Sequence, residues 1–145
     1  MKNVSVFKNA HLGSVAIEAG IRIGRRATGK YILTEEDVLR AKKFPDAIAN
    51  VAWPIEEWGQ DKRVRMKYFA ENDFYQIPVG CLKSNSIDHL FFAGRTISAT
   101  ESVIACARSI GICLQTGYAS GKLASAKALK KEEQSALTEI QSEQI

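Results

Sequence analysis

The stretch Leu90-Phe91-Phe92-Ala93-Gly94-Arg95-Thr96-Ile97-Ser98-Ala99-Thr100 decides the fold of this chain. Residues 89–93 are mostly apolar and predict a buried strand that ends at a Gly-Arg pair. A small polar turn follows, and then a helix rich in glycine and alanine over about residues 109–129. Free N–H groups and the helix dipole near such a turn favour negative charge. We therefore expect a mixed α/β fold with a cofactor-binding edge here, since ligands gather outside the carboxyl ends of strands.

The composition indicates a single core and no extended nucleic-acid surface. With 145 residues, 46% of them hydrophobic, the chain can bury one core, so one domain is expected. The net charge of +4 arises in basic clusters that are interleaved with acidic residues. A continuous single-sign surface is therefore not expected, and nucleic-acid binding is disfavoured.

Targeting signals and metal-ligand patterns are not apparent in the sequence. The first residues carry no long apolar region, and no apolar run approaches the roughly 18 residues that span a membrane. Cys81, Cys106 and Cys113 form no CxxC pair, and their odd number argues against a disulfide framework. His11 and His89 lie far apart, so zinc is disfavoured. A reducing cytoplasm is the simplest location.

Local patterns predict most of the remaining elements. Thr34 before three acidic residues predicts a helix start, because its hydroxyl and their charges suit the first turn. The other expectations are helical spacing over 12–20, a strand over 27–33, a short helix over 46–50, a loop or hairpin over 58–72, a strand over 74–79, and a polar helical or disordered tail over 130–145.

The long helix carries a stripe of small and apolar residues that we expect to face the core. Its members are Ile110, Cys113, Leu114, Gly117, Tyr118, Gly121, Ala124, Ser125 and Ala128. Only the first turn, around residues 108–113, is then left for ligand contact. Without a neighbouring histidine, the cysteines are interpreted as small buried hydrophobes rather than nucleophiles.

Four segments, in matching order and spacing, resemble the C-terminal part of bacterial FAD-dependent oxidoreductases, broadly similar to the fumarate-reductase and glutathione-reductase-like flavoproteins. They are GIRIGRRATGKYILTEEDVL (20–39), KFPDAIANVAWPIEEWG (43–59), YQIPVGCL (75–82) and LFFAGRTISATESVIACARSIGICLQTGYASGKLA (90–124). The resemblance covers roughly residues 12–129 and implies the C-terminal part of an FAD-binding fold, with hydride transfer from a substrate to the flavin.

The resemblance also implies which residues hold FAD. Gly94 would allow close backbone approach, Arg95 would neutralise phosphate or brace the loop, and the turn that follows would lie beside the cofactor. Arg108 would add positive charge, and the helix start would direct backbone N–H groups towards the pyrimidine edge of the flavin. The implied cofactor-binding residues are Gly94, Arg95, Thr96, Ser98, Arg108, Gly111 and Ile112.

A second group of arginines belongs to the substrate side in this resemblance. Arg22, Arg25 and Arg26 would bind an anionic substrate group, because guanidinium forks suit carboxylates. The alternative is that they form ion pairs with the acids at 35–37 and hold the chain to the next helix. No catalytic acid or base can be assigned from the sequence.

One departure from the resemblance concerns the ADP half of the cofactor. Such enzymes grip it with a GxGxxG turn in an N-terminal Rossmann unit, and this sequence contains no GxGxxG. We therefore expect residues 1–129 to be a C-terminal fragment of such an enzyme, followed by the tail over 130–145. Its expected partners are FAD and either an N-terminal Rossmann half or a second copy of the chain. The alternative is a non-catalytic remnant or interaction module that has lost flavin chemistry.

Overall fold

The computed structural model describes residues 4–59, 61 and 63–143 of the chain. Its helices are α1 (Glu35–Leu39), α2 (Glu101–Cys106), α3 (Ile110–Ala128) and α4 (Glu133–Ser142). Its strands are β1 (Ala47–Val51), β2 (Ile55–Trp58), β3 (Val64–Lys67) and β4 (Tyr75–Pro78), and short 3-10 turns form at Ser5–Phe7, Val79–Cys81 and Gly94–Thr96. The expected mixed α/β class is confirmed.

Helix α1 begins where the sequence predicts. The Thr34 hydroxyl accepts from the Asp37 N–H, and the Asp37 carboxylate accepts from the Thr34 N–H at 3.0 Å, which completes a capping box. The helix is short and ends at Leu39.

Strands β1 and β4 form an antiparallel pair at the centre of the core, with a bulge between Ala47 and Ala49. The strand expected over 74–79 is confirmed as β4. The short helix expected over 46–50 is wrong, because these residues form β1. Pairing with β4 supplies hydrogen bonds to a segment whose own propensity is weak, so the tertiary partner decides its conformation.

Strands β2 and β3 form a separate antiparallel hairpin, which confirms the hairpin alternative for 58–72. Its first residue, Ile55, is completely buried, whereas β3 lies towards the surface. Gln60 and Lys62, in the connection between the strands, lie outside the described residues.

Three other local expectations are wrong. Residues 12–20 form an exposed extended segment instead of a helix. Residues 27–33 form no regular strand, although isolated bridges join Gly29 to Ser84 and Leu33 to Ala99 and further backbone hydrogen bonds tie the segment to residues 80–98. The buried strand over 89–93 is reduced to one bridge between Phe91 and Lys83, with the phenylalanine half-buried. Apolar content predicted a ladder in both places, but neighbouring strands are not available to complete one.

Helix α3 follows the predicted bounds closely, yet it buries the opposite face. Most of the predicted stripe is exposed, and Cys113 and Ala124 are half-buried. The buried residues are Ile112, Thr116, Ala119, Ser120, Leu123 and Ala126. Small and apolar residues occur on both faces, so the helical period alone could not select the core side.

Helix α4 occupies most of the polar stretch at residues 130–143 and packs on α3 and β1. Its Ala136, Leu137 and Ile140 are buried in the common core, so this helix is held by packing. No helix that the structure describes combines the length and hydropathy needed to cross a bilayer.

Candidate functional site

The extended segment before Gly94 runs along the buried face of α3. The Gly94 N–H donates to Thr116 Oγ1 at 3.0 Å, and the Ser120 hydroxyl donates to the Phe92 carbonyl. Phe92 comes before Gly94 in the chain, whereas its partner Ser120 comes one helical turn after Thr116, the partner of Gly94. The segment and the helix therefore run in opposite directions. Two helix hydroxyls thus add to the two backbone hydrogen bonds that this segment makes with residues 82–84, at Leu90 and Phe92.

Gly94 begins the 3-10 turn Gly94–Thr96 with a backbone φ of +59°. A side chain at this position would be strained by the left-handed conformation, which only glycine adopts at low cost. A Cβ built here would lie 3.5 Å from Cys113 Sγ, which is ordinary contact. The glycine is therefore required by conformation, and it brings the turn against the first turns of α3.

A loop over residues 21–27 crosses the turn and is tethered to it at both ends. Arg95 donates from Nη1 to the Ile21 carbonyl at 3.1 Å, and the Ala27 N–H donates to the Thr96 carbonyl at 3.0 Å. Between the tethers, Ile23 packs against the core. The loop and the turn together line an open surface cavity of about 170 Å³, whose residues are Ile21, Arg22, Gly24, Arg25, Arg95 and Thr96.

The structure brings two of the three substrate-side arginines to this cavity. Arg22 and Arg25 line it beside Arg95, whereas the Arg26 side chain turns back to the Gly24 carbonyl at 3.4 Å. Arg95, predicted from the resemblance as a cofactor residue, therefore lies in the same cavity as residues predicted for substrate.

The alternative in which these arginines pair with the acids at 35–37 is wrong for the described part of the chain. Those acids bind other cations: Glu35 pairs with Lys67 at 2.7 Å, Glu36 with Arg40 at 2.7 Å, and Asp37 with Lys42 at 2.8 Å. Within residues 4–59, 61 and 63–143, no ion pair joins an acid to any of these arginines or to Arg95; the arginines are Arg22, Arg25 and Arg26.

The other predicted cofactor residues differ in accessibility. Thr96 and Gly111 are exposed, and no atom lies within 4 Å of a Cβ built at Gly111. Ser98 and Ile112 are buried, at 1% and 5% exposure. Arg108 is half-buried beside the start of α3. Buried polar atoms without a hydrogen-bond partner among the described residues are Ser98 Oγ and Arg108 Nε.

A larger cavity of about 580 Å³ lies between the β2–β3 hairpin and α2, and the sequence did not predict it. Glu56, Glu57 and Glu101 give it an acidic lining, with Arg65 beside them. Lys67 pairs with Glu57 at 2.6 Å, and Trp53 Nε1 donates to Glu56 at 3.2 Å, so two of the three carboxylates already have partners. These positions are far apart in the chain, and no motif links them.

Two of the three cysteine thiols lie in the core. Burial raises the pKa of the Cys81 thiol to about 12, and burial also raises the pKa of Cys106, which lies 3.2 Å from the Tyr75 hydroxyl. Such thiols stay protonated near neutral pH and are poor nucleophiles. The described residues contain no group of three metal-ligating side chains.

Comparison with known families gives one match. The family described as FAD dependent oxidoreductase matches residues 1–144, and the chain belongs to this family. Comparison with curated proteins and with solved structures gives no match.

Proposed function

We propose that this chain supplies the ribityl and pyrimidine side of an FAD site, in an enzyme that transfers a hydride from a substrate to the flavin. The observation that carries the proposal is the docking of the Gly94–Thr96 turn on α3, which brings the Gly-Arg pair close to the start of a long helix. Family membership supports FAD as the cofactor. When bound, FAD would supply the hydride-accepting ring, which no amino-acid side chain provides.

The residues present fit such a group. Arg108 keeps a buried Nε without a partner next to the first turn of α3, and a buried unpaired donor is costly unless a ligand completes it. Gly111 leaves open space at the same helix end, so a flat ring system can approach the backbone N–H groups closely. Both features favour an electron-rich ligand at this end of α3.

Most of the predicted cofactor residues would contact FAD directly, and one would instead hold the turn in position. Gly94, Arg95, Thr96, Arg108 and Gly111 are accessible enough to contact FAD, and Ile112 would contribute through its backbone N–H in the first helical turn.

Ser98 is a positioning residue in this proposal, because both of its backbone groups are used internally. Its N–H donates to the Cys81 carbonyl at 2.9 Å, and its carbonyl accepts from the Leu33 N–H at 3.1 Å. These bonds hold the chain that follows the turn against neighbouring segments of the core.

Titration of the full chain with FAD, followed by flavin fluorescence, tests the proposal. We expect saturable binding that Arg108→Met weakens by about 10- to 100-fold, as for a hydrogen bond to a charged donor. Arg40→Met is the matched control, because Arg40 is exposed at the C-terminal end of α1 and pairs with Glu36 on that helix. No saturable binding by the full chain, or equal effects of the two variants, would contradict the assignment.

The ADP half of FAD requires a further binding unit in this proposal, because the sequence contains no GxGxxG. A Rossmann unit on another chain or segment would supply it and complete the site formed by residues 1–129. We propose a reducing cytoplasm as the location, which suits the three free thiols.

A second candidate function is an interaction module without flavin chemistry. The exposed face of α3 favours it, since Ile110 is 81% and Leu114 70% exposed, with Tyr118 at 43% on the same face. Sedimentation of the full chain distinguishes the candidates when it is combined with the FAD titration. Self-association that Leu114→Glu abolishes, in a chain that does not bind FAD, would favour the module over the enzyme.

A further inference from the structure

We propose that Arg22, Arg25 and Arg95 form one pocket that binds a small oxyanion, the carboxylate or phosphate group of an anionic ligand. Each of the three lines the cavity under the 21–27 loop, although Arg95 is far from the other two in the sequence. None of the three has an acidic partner within the described residues. Three cations that line one cavity make its potential positive, which favours an anion there.

The loop is built to hold these arginines in place. Its two tethers, to Arg95 and to Thr96, fix both ends of residues 21–27. Ile23 packs on the core from the middle of the loop, while Arg22 and Arg25 on either side of it line the cavity. A loop fixed at three points loses little further entropy when a ligand binds, which favours recognition.

The hydrogen bond of Arg95 to the Ile21 carbonyl has a second consequence. It occupies one N–H of Nη1 and thereby orients the planar guanidinium, which carries five N–H donors. The remaining donors suit the paired oxygens of a carboxylate or phosphate, which arginine binds in a bidentate manner. Thr96 adds a hydroxyl to the cavity lining, and that hydroxyl donates to the Ala93 carbonyl at 2.9 Å.

The size of the cavity indicates an end group rather than a whole cofactor. A volume of about 170 Å³ equals the liquid volume of about five or six water molecules at ~30 Å³ each. Pockets for complete drug-sized ligands start at about 300 Å³. A carboxylate or phosphate group with its first atoms fits this space.

Two sources would supply the same oxyanion: an anionic substrate and the diphosphate of FAD. The oxyanion pocket itself does not depend on flavin chemistry. Its assignment to the substrate side rests on the proposed function, and we assign it there because Arg22 and Arg25 supply two of its three cations. A substrate of this enzyme would then be a small carboxylate or phosphate compound.

The first experiment titrates the full chain with inorganic phosphate and, separately, with succinate, by calorimetry at constant ionic strength maintained with chloride. We expect saturable binding of at least one probe, weakened about 10-fold or more by Arg25→Gln and by Arg22→Gln. Arg26→Gln removes the same charge from the neighbouring residue, outside the cavity, and should change the affinity less than 2-fold. All three arginines are exposed, so their replacement should leave the urea midpoint unchanged.

Equal weakening by Arg25→Gln and Arg26→Gln would overturn the proposal, because it would indicate general charge attraction. Absence of saturable binding of both probes would overturn it as well. An FAD titration of Arg25→Gln distinguishes the two sources of the oxyanion. If this variant retains its affinity for FAD, the pocket binds a separate substrate anion. If it loses affinity for FAD together with affinity for the anion, the pocket binds the diphosphate of FAD and the substrate assignment is overturned.

Failure of the proposed function is a distinct result. A chain that binds phosphate in an Arg25-dependent manner but does not bind FAD contradicts the flavin site and leaves the oxyanion pocket in place. A chain that binds FAD but neither anion contradicts only the pocket.

Discussion

The backbone N–H of Gly94 donates a hydrogen bond of 3.0 Å to the side chain of Thr116, which lies in the second turn of α3. Thr116 is completely buried, and its hydroxyl lies 2.9 Å from the Ile112 carbonyl and 3.1 Å from that of Cys113. The hydroxyl therefore accepts from the turn and donates to its own helix. This single side chain connects the Gly-Arg turn to α3, and the geometry of the candidate site depends on it.

Thr116→Val should destabilise the protein by about 1–3 kcal/mol, the cost of leaving a buried donor without an acceptor. Valine preserves the volume, so the loss reports on the hydrogen bond rather than on a cavity. Urea unfolding followed by circular dichroism measures the change.

Thr138→Val on α4 is the matched control, because Thr138 is exposed and bonds only its own helix, at the Gln134 carbonyl. This control should change the free energy of unfolding by less than about 0.5 kcal/mol. Equal effects of the two substitutions would show that the contact between Gly94 and Thr116 contributes nothing specific.

Gly94→Ala and Gly117→Ala should have opposite effects on stability. At Gly94 the backbone φ of +59° penalises a Cβ, and we expect a loss of about 1–2 kcal/mol. Gly117 is an exposed helical residue with open space around its Cβ position, so alanine should stabilise by about 1 kcal/mol. Thermal and urea unfolding measure both, and a stabilised Gly94→Ala variant would contradict the left-handed turn.

Leucine-to-alanine substitutions on α3 determine which face of the helix is the core face. Leu123 is 2% exposed, and its replacement should cost about 2–5 kcal/mol. Leu114 is 70% exposed, and its replacement should cost less than about 0.5 kcal/mol. A larger loss of stability for Leu114→Ala than for Leu123→Ala in urea unfolding would show that the stripe predicted from the sequence faces the core.

Stability at low pH should depend on Asp37. Burial alone would raise the pKa of this carboxyl, but hydrogen bonds from Lys42, Thr34 and Tyr31 outweigh burial and hold the pKa below its ordinary value. The stabilisation is therefore present above the unfolded pKa of about 3.9 and is lost as pH falls through the lower folded value. The free energy of unfolding should decrease as pH falls below about 4.

Asp37→Asn should cost about 1–3 kcal/mol at pH 7, through the lost cap and charged hydrogen bond, and should flatten the dependence on pH below 5. Glu36→Gln on the same helix is the control, since this side chain is 69% exposed. Urea unfolding at several pH values measures both variants. If the free energy of unfolding depends on pH as steeply in Asp37→Asn as in the wild type, Asp37 does not cause the loss of stability at low pH.

Expectations that depended on local chemistry were the successful ones. The cap at Thr34, the strand β4 and the length of α3 are confirmed, because capping residues and apolar runs act within a few neighbouring positions. Expectations that depended on a contact with a distant segment of the chain were wrong. Residues 46–50 form a strand through pairing with β4, whereas residues 89–93 form only one bridge, to Lys83, and bond helix hydroxyls on their other side.

The candidate site divides in the same way. The resemblance of the sequence identified Arg22, Arg25 and Arg95 separately, with the first two assigned to substrate and the third to cofactor. Their meeting in one cavity depends on two hydrogen bonds between the 21–27 loop and the Gly94–Thr96 turn, which join positions remote in the chain. No local pattern encodes such a contact.

By itself, the sequence determined the mixed α/β class, the capped start of α1 and the glycine-rich helix α3, along with the motifs of the family. Only the tertiary structure decided which face of α3 is buried, because small and apolar residues lie on both sides and the buried side is the one whose hydroxyls satisfy the chain at Phe92 and Gly94. Local rules act through neighbouring residues, whereas burial and cavity lining follow from contacts between distant segments.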